Sequence, residues 1–486
     1  MASLKDQTVK GVHWSFVENI FNLGITFLVG IVLARLLSPE EYGLIGIITI
    51  FISIFNSIVD SGFSNALIRK NDADDLDYNT IYISNLIISL ILFVVLWLIA
   101  PAISDFFNNA QLVQLTRVMG IIIVINAFSI IQRTILVKKI DFKTQAKVSL
   151  IASIASGAVG IGMALMGYGI WALVGQQISR QLLNSILLWV WGQWRPQKQF
   201  SFARFKELFS FGWKLLASGL IDTTWKEVYQ IVIGKVYSPS ILGQYTRAQQ
   251  FASICSSNLT FVVQRVSFPA LSQIQDDKLR LKLAYKRIIK VTMLVSFVLM
   301  LGMVGSAKSM ILFLVGDQWL PCVPYLQIIC FNMMLYPLHA INLNMLQVQG
   351  RSDLFLKLEI IKKMIAVVPI LLGIFINIYW MLIGSVITGF ISYWLNAAYS
   401  GPFLNYSSKE QVLDILPSFC VAFVMMLVVF AMSFIPISAY ILFPLQVLVG
   451  AIVSVGLCKI IGLSEYIELK DIVIPLLQRQ KTNRYE

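Results

Sequence analysis

Lys214, Ser218, Asp222 and Lys226 recur at every fourth residue of a largely apolar stretch, with Glu227 beside the last of them. On a helix this spacing puts all four on one stripe. A charged side chain in hydrocarbon costs about 2.5–3.5 kcal/mol on insertion scales, so the stripe is expected to face a cavity or other charges. Similar interruptions occur elsewhere: Glu18 and Asn22; Asn56, Asp60 and Ser64; Gln176, Gln177, Arg180 and Gln181; Arg247 and Gln250. Within the sixth to eighth apolar runs, Arg180, Lys214, Lys226 and Arg247 stand against Asp222 and Glu227. A cavity with that balance suits an anionic head group such as a phosphate. The binding candidates are therefore Lys214, Asp222, Lys226, Arg247, Arg180 and Glu18, with Asp60 and Glu227 as candidates for proton or sodium coupling. Local readings stand beside these: Asp222 and Lys226 can form an i,i+4 ion pair within a bundle, and Asp60 can cap a turn.

The elements that must carry these residues are membrane spans. Of 486 residues, 57% are hydrophobic and 13% charged, far too apolar for soluble domains. The net charge of +13 then points to anionic lipids rather than nucleic acid. Marking runs of about 20 apolar residues gives fourteen spans, from 12–34 to 439–458. The first lacks a cleavage site and is expected to be retained. Alternating the spans puts 30 of the 38 basic residues on the N-terminal side, Arg133 among them. Only Arg35, Arg117, Lys235 and Lys308 lie opposite, so both termini are expected in the cytosol. No connection is long enough for a separate folded domain. Residues 192–210, with Phe200, Phe202, Phe205 and Phe209, resemble a helix lying in the membrane interface, as does the tail at 464–478.

The five cysteines read as small apolar residues, and His13 and His339 lack partners at ligand spacing. There is no P-loop, nucleotide-binding glycine pattern, G-x-S-x-G or zinc motif, and no cofactor or metal is expected. Gly157, Gly160 and Gly162 read as close helix contacts.

An internal register organises the chain. "ARLLSPEEYG" at 34–43 overlies "GKVYSPSILG" at 234–243, and "WALVG" at 171–175 overlies "WMLIG" at 380–384. Locally, Ser-Pro is a helix stop followed by a turn. Repeated at this offset, it predicts two parallel six-helix repeats, 1–200 and 201–405, followed by two further helices and an amphipathic tail at 406–486. Such paired bundles are the usual architecture of alternating access, with substrate bound near mid-membrane.

The block "GVHWSF…LARLLSPEEYGLIGI…DSGFSNALIRK", residues 11–70, resembles the polysaccharide-transporter branch of the multidrug/oligosaccharidyl-lipid/polysaccharide exporter superfamily. Within that branch it is similar to the Wzx-type flippases, in particular the subgroup exporting colanic-acid-like and teichuronic-acid-like polymers. The resemblance covers essentially the whole chain. It implies an all-α inner-membrane protein with MATE-like lobes that flips undecaprenyl-pyrophosphate-linked oligosaccharide units toward the periplasm for O-antigen, capsule or exopolysaccharide. It also implies membrane lipids and glycan-assembly proteins such as a polymerase as neighbours. By analogy with the related lipid II flippase, the last two helices would offer a groove for the lipid tail. A drug or cation antiporter on the same fold is the alternative, for which an acid-dominated cavity is expected. An integral-membrane enzyme would need a long periplasmic loop, so a non-enzymatic carrier is expected.

Overall fold

A computed structural model describes residues 4–60 and 62–471, and these are helical almost throughout. The chain divides into two compact units, Met1–Gly243 and Gln244–Glu486. The first contains α1 (Leu4–Leu36), α2 (Pro39–Asp60), α3 (Phe63–Arg69), α4 (Asp75–Phe107), α5 (Gln111–Met119), α6 (Ile121–Lys138), α7 (Phe142–Leu165), α8 (Trp171–Trp191) and α9 (Phe202–Val236). A further helix, α10 (Pro239–Ser272), runs on into the second unit. That unit holds α11 (Lys278–Leu314), α12 (Cys322–Met333), α13 (Tyr336–Val348), α14 (Ser352–Ile365), α15 (Val367–Phe375), α16 (Ile378–Ser400), α17 (Ser408–Ala431) and α18 (Ala439–Ile461).

Large apolar side chains such as Leu98, Ile154, Phe375, Leu448 and Ile460 are exposed, which is stable only against lipid. Among the described residues, ten helical stretches are long and apolar enough to cross a bilayer. The sequence predicts fourteen. α8, α9, α10 and the stretch divided into α14 and α15 lie outside the ten; the first three carry Arg180, the Lys214–Lys226 stripe and Arg247, polar residues that lower the hydropathy of their helices.

In the first unit α1 lies on α7, α7 on α8, α8 on α6, and α9 against α2, α3 and α4. Its apolar core gathers Phe63, Leu67, Ile81, Tyr82, Ile131 and Leu208. The segment expected as an interfacial helix is instead irregular up to Ser201 and then continuous with α9. Its aromatic stripe has a partner inside the protein: Phe205 and Phe209 lie 5.7 and 6.0 Å from Phe63. Gly62 breaks α2 from α3 at φ 71°, and a Cβ there would sit 2.6 Å from the Gly212 carbonyl oxygen. Both the left-handed backbone and the close approach of α9 require glycine at this point. Around the same junction Lys70 lies 3.1 Å from the fully buried Asp77 and 3.2 Å from Glu207, and Arg204 lies 3.4 Å from Asp74. The starts of α4 and α9 and the end of α3 are therefore cross-linked by charge.

The two Ser-Pro segments each open a helix. Ser38 accepts from the Glu41 backbone N–H while the Glu41 carboxylate accepts from the Ser38 N–H, closing a capping box at the start of α2. Ser238 accepts from the Ile241 N–H at the start of α10. The glycines ending the two motifs meet across the first unit. A Cβ on Gly43 would lie 1.8 Å from the Pro239 carbonyl oxygen, and one on Gly243 would lie 1.8 Å from that of Pro39.

In the second unit α11 packs on α12, α13, α17 and α18, and α16 on α12 to α15. Beyond α18, residues 464–471 form a short helix; the remainder of the tail expected at 464–478 lies outside the described residues. This helix is held by charge. Glu465, 1% exposed, accepts from Ser418 at 2.6 Å and pairs with Lys290 at 3.1 Å, while Arg287 pairs with Glu468 at 2.8 Å.

Gly43→Ala should fail to reach the native arrangement, since the clash is with backbone on both sides; its yield of folded, monodisperse protein in detergent is expected to collapse, whereas Gly24→Ala, facing open space, should be neutral. Burial alone would raise the Glu465 carboxyl, but hydrogen bonds from Ser418, its own backbone and Lys290 outweigh this and lower it. A lowered carboxyl stabilises above its ordinary value and loses that contribution as pH falls through the lowered one. Hydrogen exchange at 464–471 should therefore rise only below the ordinary value of 4.5, and Glu465→Gln should abolish this pH dependence.

Candidate functional site

Four helices of the first unit enclose a cavity of about 350 Å³ lined by Glu18, Arg133, Gln145, Ser149, Arg180, Gln181 and Asn184. The sequence builds it by putting polar residues on facing helix sides. Asn22, one turn from Glu18, donates to Ser149 at 2.7 Å and accepts from Ser153 at 2.8 Å, which fixes the rotation of α1 on α7. Close packing does the rest: a Cβ on Gly157 would lie 2.5 Å from Val29, and one on Gly160 would lie 2.9 Å from Gln176. Gly162, expected to play the same part, instead faces open space.

A second space, about 740 Å³, lies between α2, α3, α6 and α9 and is lined by Asn56, Asp60, Ser64, Asn126, Arg133, Thr134, Thr223 and Glu227 among others. Its polar walls are bonded in series. Gln181 donates to Asn126 at 2.8 Å and Asn126 to Asn56 at 3.0 Å; Thr134 donates to Ser64 at 3.0 Å and Ser64 to Asp60 at 2.5 Å. Glu227 accepts from Gln230 at 2.8 Å.

Arg133 lines both spaces and lies within electrostatic reach of both Glu18 and Asp60. Sequence reasoning sorted it with the cytosolic cations. The signal that could have found it is its spacing from Asn126: seven residues, two helical turns, put both on one face of α6. The first space therefore holds two guanidiniums against one carboxylate, and the second holds two carboxylates against the shared guanidinium.

The structure thus brings Glu18 and Arg180 together in one space and Asp60 and Glu227 in the other. On α9 the cavity wall runs along Leu215, Gly219, Thr223 and Glu227, one residue round from the expected stripe. Lys214, Asp222 and Lys226 are exposed, and the last two pair at 2.7 Å, the i,i+4 contact that was the local reading. Arg247 belongs to the second unit. It is 4% exposed, donates to Gln250 at 2.9 Å, and its guanidinium lies 4.9 Å from the Trp319 ring centre.

Residues 32–324 match the family described as polysaccharide biosynthesis protein, which is more than half of the sequence. The chain belongs to that family. Its relatives include the lipopolysaccharide biosynthesis protein WzxC of Escherichia coli, 23% identical over 89% of this chain and 88% of that one. Another is the teichuronic acid biosynthesis protein TuaB of Bacillus subtilis, 27% identical over 73% and 74%. Among solved structures the lipid II flippase MurJ, in an inward closed conformation, matches with a TM-score of 0.74 at 14% identity, covering 93% of this chain and 98% of that one. A multidrug resistance MATE transporter of the MOP superfamily matches with 0.59 at 17% identity, over 80% and 96%. These likenesses establish a MOP-superfamily fold. Family and fold together describe a multi-pass membrane protein of polysaccharide biosynthesis with the helical fold that MurJ and the MATE transporter share.

Arg133 is the one cation common to the acids of both spaces, but its side chain is solvent-accessible, so Arg133→Gln should destabilise the protein by no more than about 1 kcal/mol. The triple variant Arg133→Gln/Glu18→Gln/Asp60→Asn should regain part of that loss, as read by thermal unfolding in detergent. A triple variant whose loss equals the sum of the three single-variant losses would mean that the charges are not coupled.

Proposed function

We propose that the protein is a flippase for undecaprenyl-pyrophosphate-linked oligosaccharide units, moving them by alternating access from the cytosolic to the periplasmic leaflet of a bacterial inner membrane. In this reading the chain spans the membrane fourteen times as two parallel six-helix repeats plus two helices, with both termini cytosolic. The observation that carries it is the meeting of two oppositely charged spaces at Arg133, in a member of the polysaccharide biosynthesis family. Two guanidiniums against one carboxylate suit a pyrophosphate, which arginine binds through paired N–H donors. Two carboxylates beside one guanidinium suit a coupling cation.

Arg133 and Arg180 hold the phosphates, with Glu18 limiting the excess positive charge when the cargo is absent. Asp60 and Glu227 carry a proton or sodium ion. The exposed Lys214, Asp222 and Lys226 on α9 guide the anionic cargo and its sugars. The lipid tail remains in the bilayer, and a polymerase receives the unit on the far side. The antiporter alternative calls for an acid-dominated cargo space, and the space lined by Arg133, Arg180 and Glu18 carries an excess of positive charge instead.

The test is mass spectrometry of polyprenyl-pyrophosphate-linked glycans from a strain lacking the gene, compared with strains carrying wild-type, Arg180→Gln, Lys226→Ala or Arg247→Ala forms. One oligosaccharide should accumulate on the lipid in the deletion strain and disappear with the wild-type gene. Arg180→Gln should restore flipping at roughly a tenth of the wild-type rate or less, the effect expected for a lost charge-assisted contact. If the glycan is made with no lipid-linked intermediate accumulating, the reading fails.

A further inference from the structure

Arg117 stands apart from the polar interior of the first unit, at a groove of about 610 Å³ on its surface. Phe93 and Trp97 of α4, Val118 at the end of α5 and Ile121 at the start of α6 supply an apolar lining, and Gln114 and Arg117 supply its polar groups. Trp97, Val118 and Ile121 are exposed on a unit whose outer apolar surface faces lipid. The Arg117 guanidinium lies 4.8 Å from the Trp97 ring centre, a geometry that fixes its plane while leaving its donors for another group. Its Nε–H is buried without an acceptor, and no carboxylate lines the groove. An apolar channel ending in a cation that lacks an anion has the two-part chemistry of a phospholipid: acyl chain along the wall, phosphate at the guanidinium.

We propose that this groove is a binding site for an anionic phospholipid, with Arg117 holding the head-group phosphate and Phe93, Trp97, Val118 and Ile121 seating an acyl chain. The guanidinium's terminal N–H donors meet the phosphate. Gln114 reaches the glycerol end. Arg117 is one of the few basic residues assigned to the side away from the termini, so bulk positive charge on that face does not account for lipid selectivity there. The site lies away from the spaces around Arg133 and does not depend on the identity of the cargo.

The experiment titrates the delipidated, detergent-purified full chain with phosphatidylglycerol and with phosphatidylcholine and counts bound lipids by native mass spectrometry. Wild type should show one saturable phosphatidylglycerol site preferred over phosphatidylcholine. Arg117→Gln should weaken that site roughly tenfold and remove the preference. Arg117→Lys, which keeps the charge without the fork, should recover part of it, and it serves as the readout if the glutamine variant is unstable. Lys308→Gln, an exposed cation in the second unit, should leave the preference intact. Unchanged phosphatidylglycerol binding in both Arg117 variants would overturn the proposal. So would an equal loss in Lys308→Gln, or displacement of phosphatidylglycerol by equimolar undecaprenyl phosphate, which would make the groove a cargo site.

Discussion

An ionised side chain inside a lipid-embedded bundle must be hydrated or answered by opposite charge, and the interior of the first unit is organised around that requirement at Arg133. The guanidinium opens onto two spaces, each bringing at least one carboxylate toward it from a different helix. Asp60 is held in turn by the hydroxyls of Thr134 and Ser64, Glu227 by Gln230, and a separate chain of amides from Gln181 to Asn56 ties α8, α6 and α2. Such networks are rigid only while every member is satisfied. The rotation of α1, α2, α6 and α8 is therefore set by polar contacts, not by the apolar surface that dominates the composition. Hydrophobic burial cannot choose among rotations where the surrounding lipid is as apolar as the helix face.

Outside the bilayer core the same unit is secured by a different chemistry. The Lys70, Asp74, Asp77, Arg204 and Glu207 cluster ties three helix ends, and Phe205 and Phe209 close on Phe63 beneath it. The second unit uses a similar device at Lys290, Ser418 and Glu465 to hold the short helix after α18. In each case a buried carboxylate, Asp77 or Glu465, sits at the centre of the ties.

Much of this was legible in the residues. Polar positions at four-residue spacing identified α1, α2 and α8 as the helices facing polar space, and Glu18 and Arg180 do line one cavity. The limits were of three kinds. A four-residue spacing defines a stripe but not which neighbouring stripe meets the wall, and on α9 the wall follows Leu215, Gly219, Thr223 and Glu227 instead of Lys214 to Lys226. Charge sorting across the membrane assigns a residue to a side before asking about its face, which hid Arg133. The Phe200–Phe209 segment failed for a third reason: an aromatic stripe suits lipid or a protein partner equally, and only the placement of Phe63 decides.

The reciprocal seating of Gly43 on Pro239 and of Gly243 on Pro39 makes each Ser-Pro segment the mould in which the other is cast. Neither can acquire bulk on its own, because the room would have to come from main chain that is itself the complement of its own glycine. A larger residue at either glycine therefore calls for a backbone change in the other segment as well as in its own.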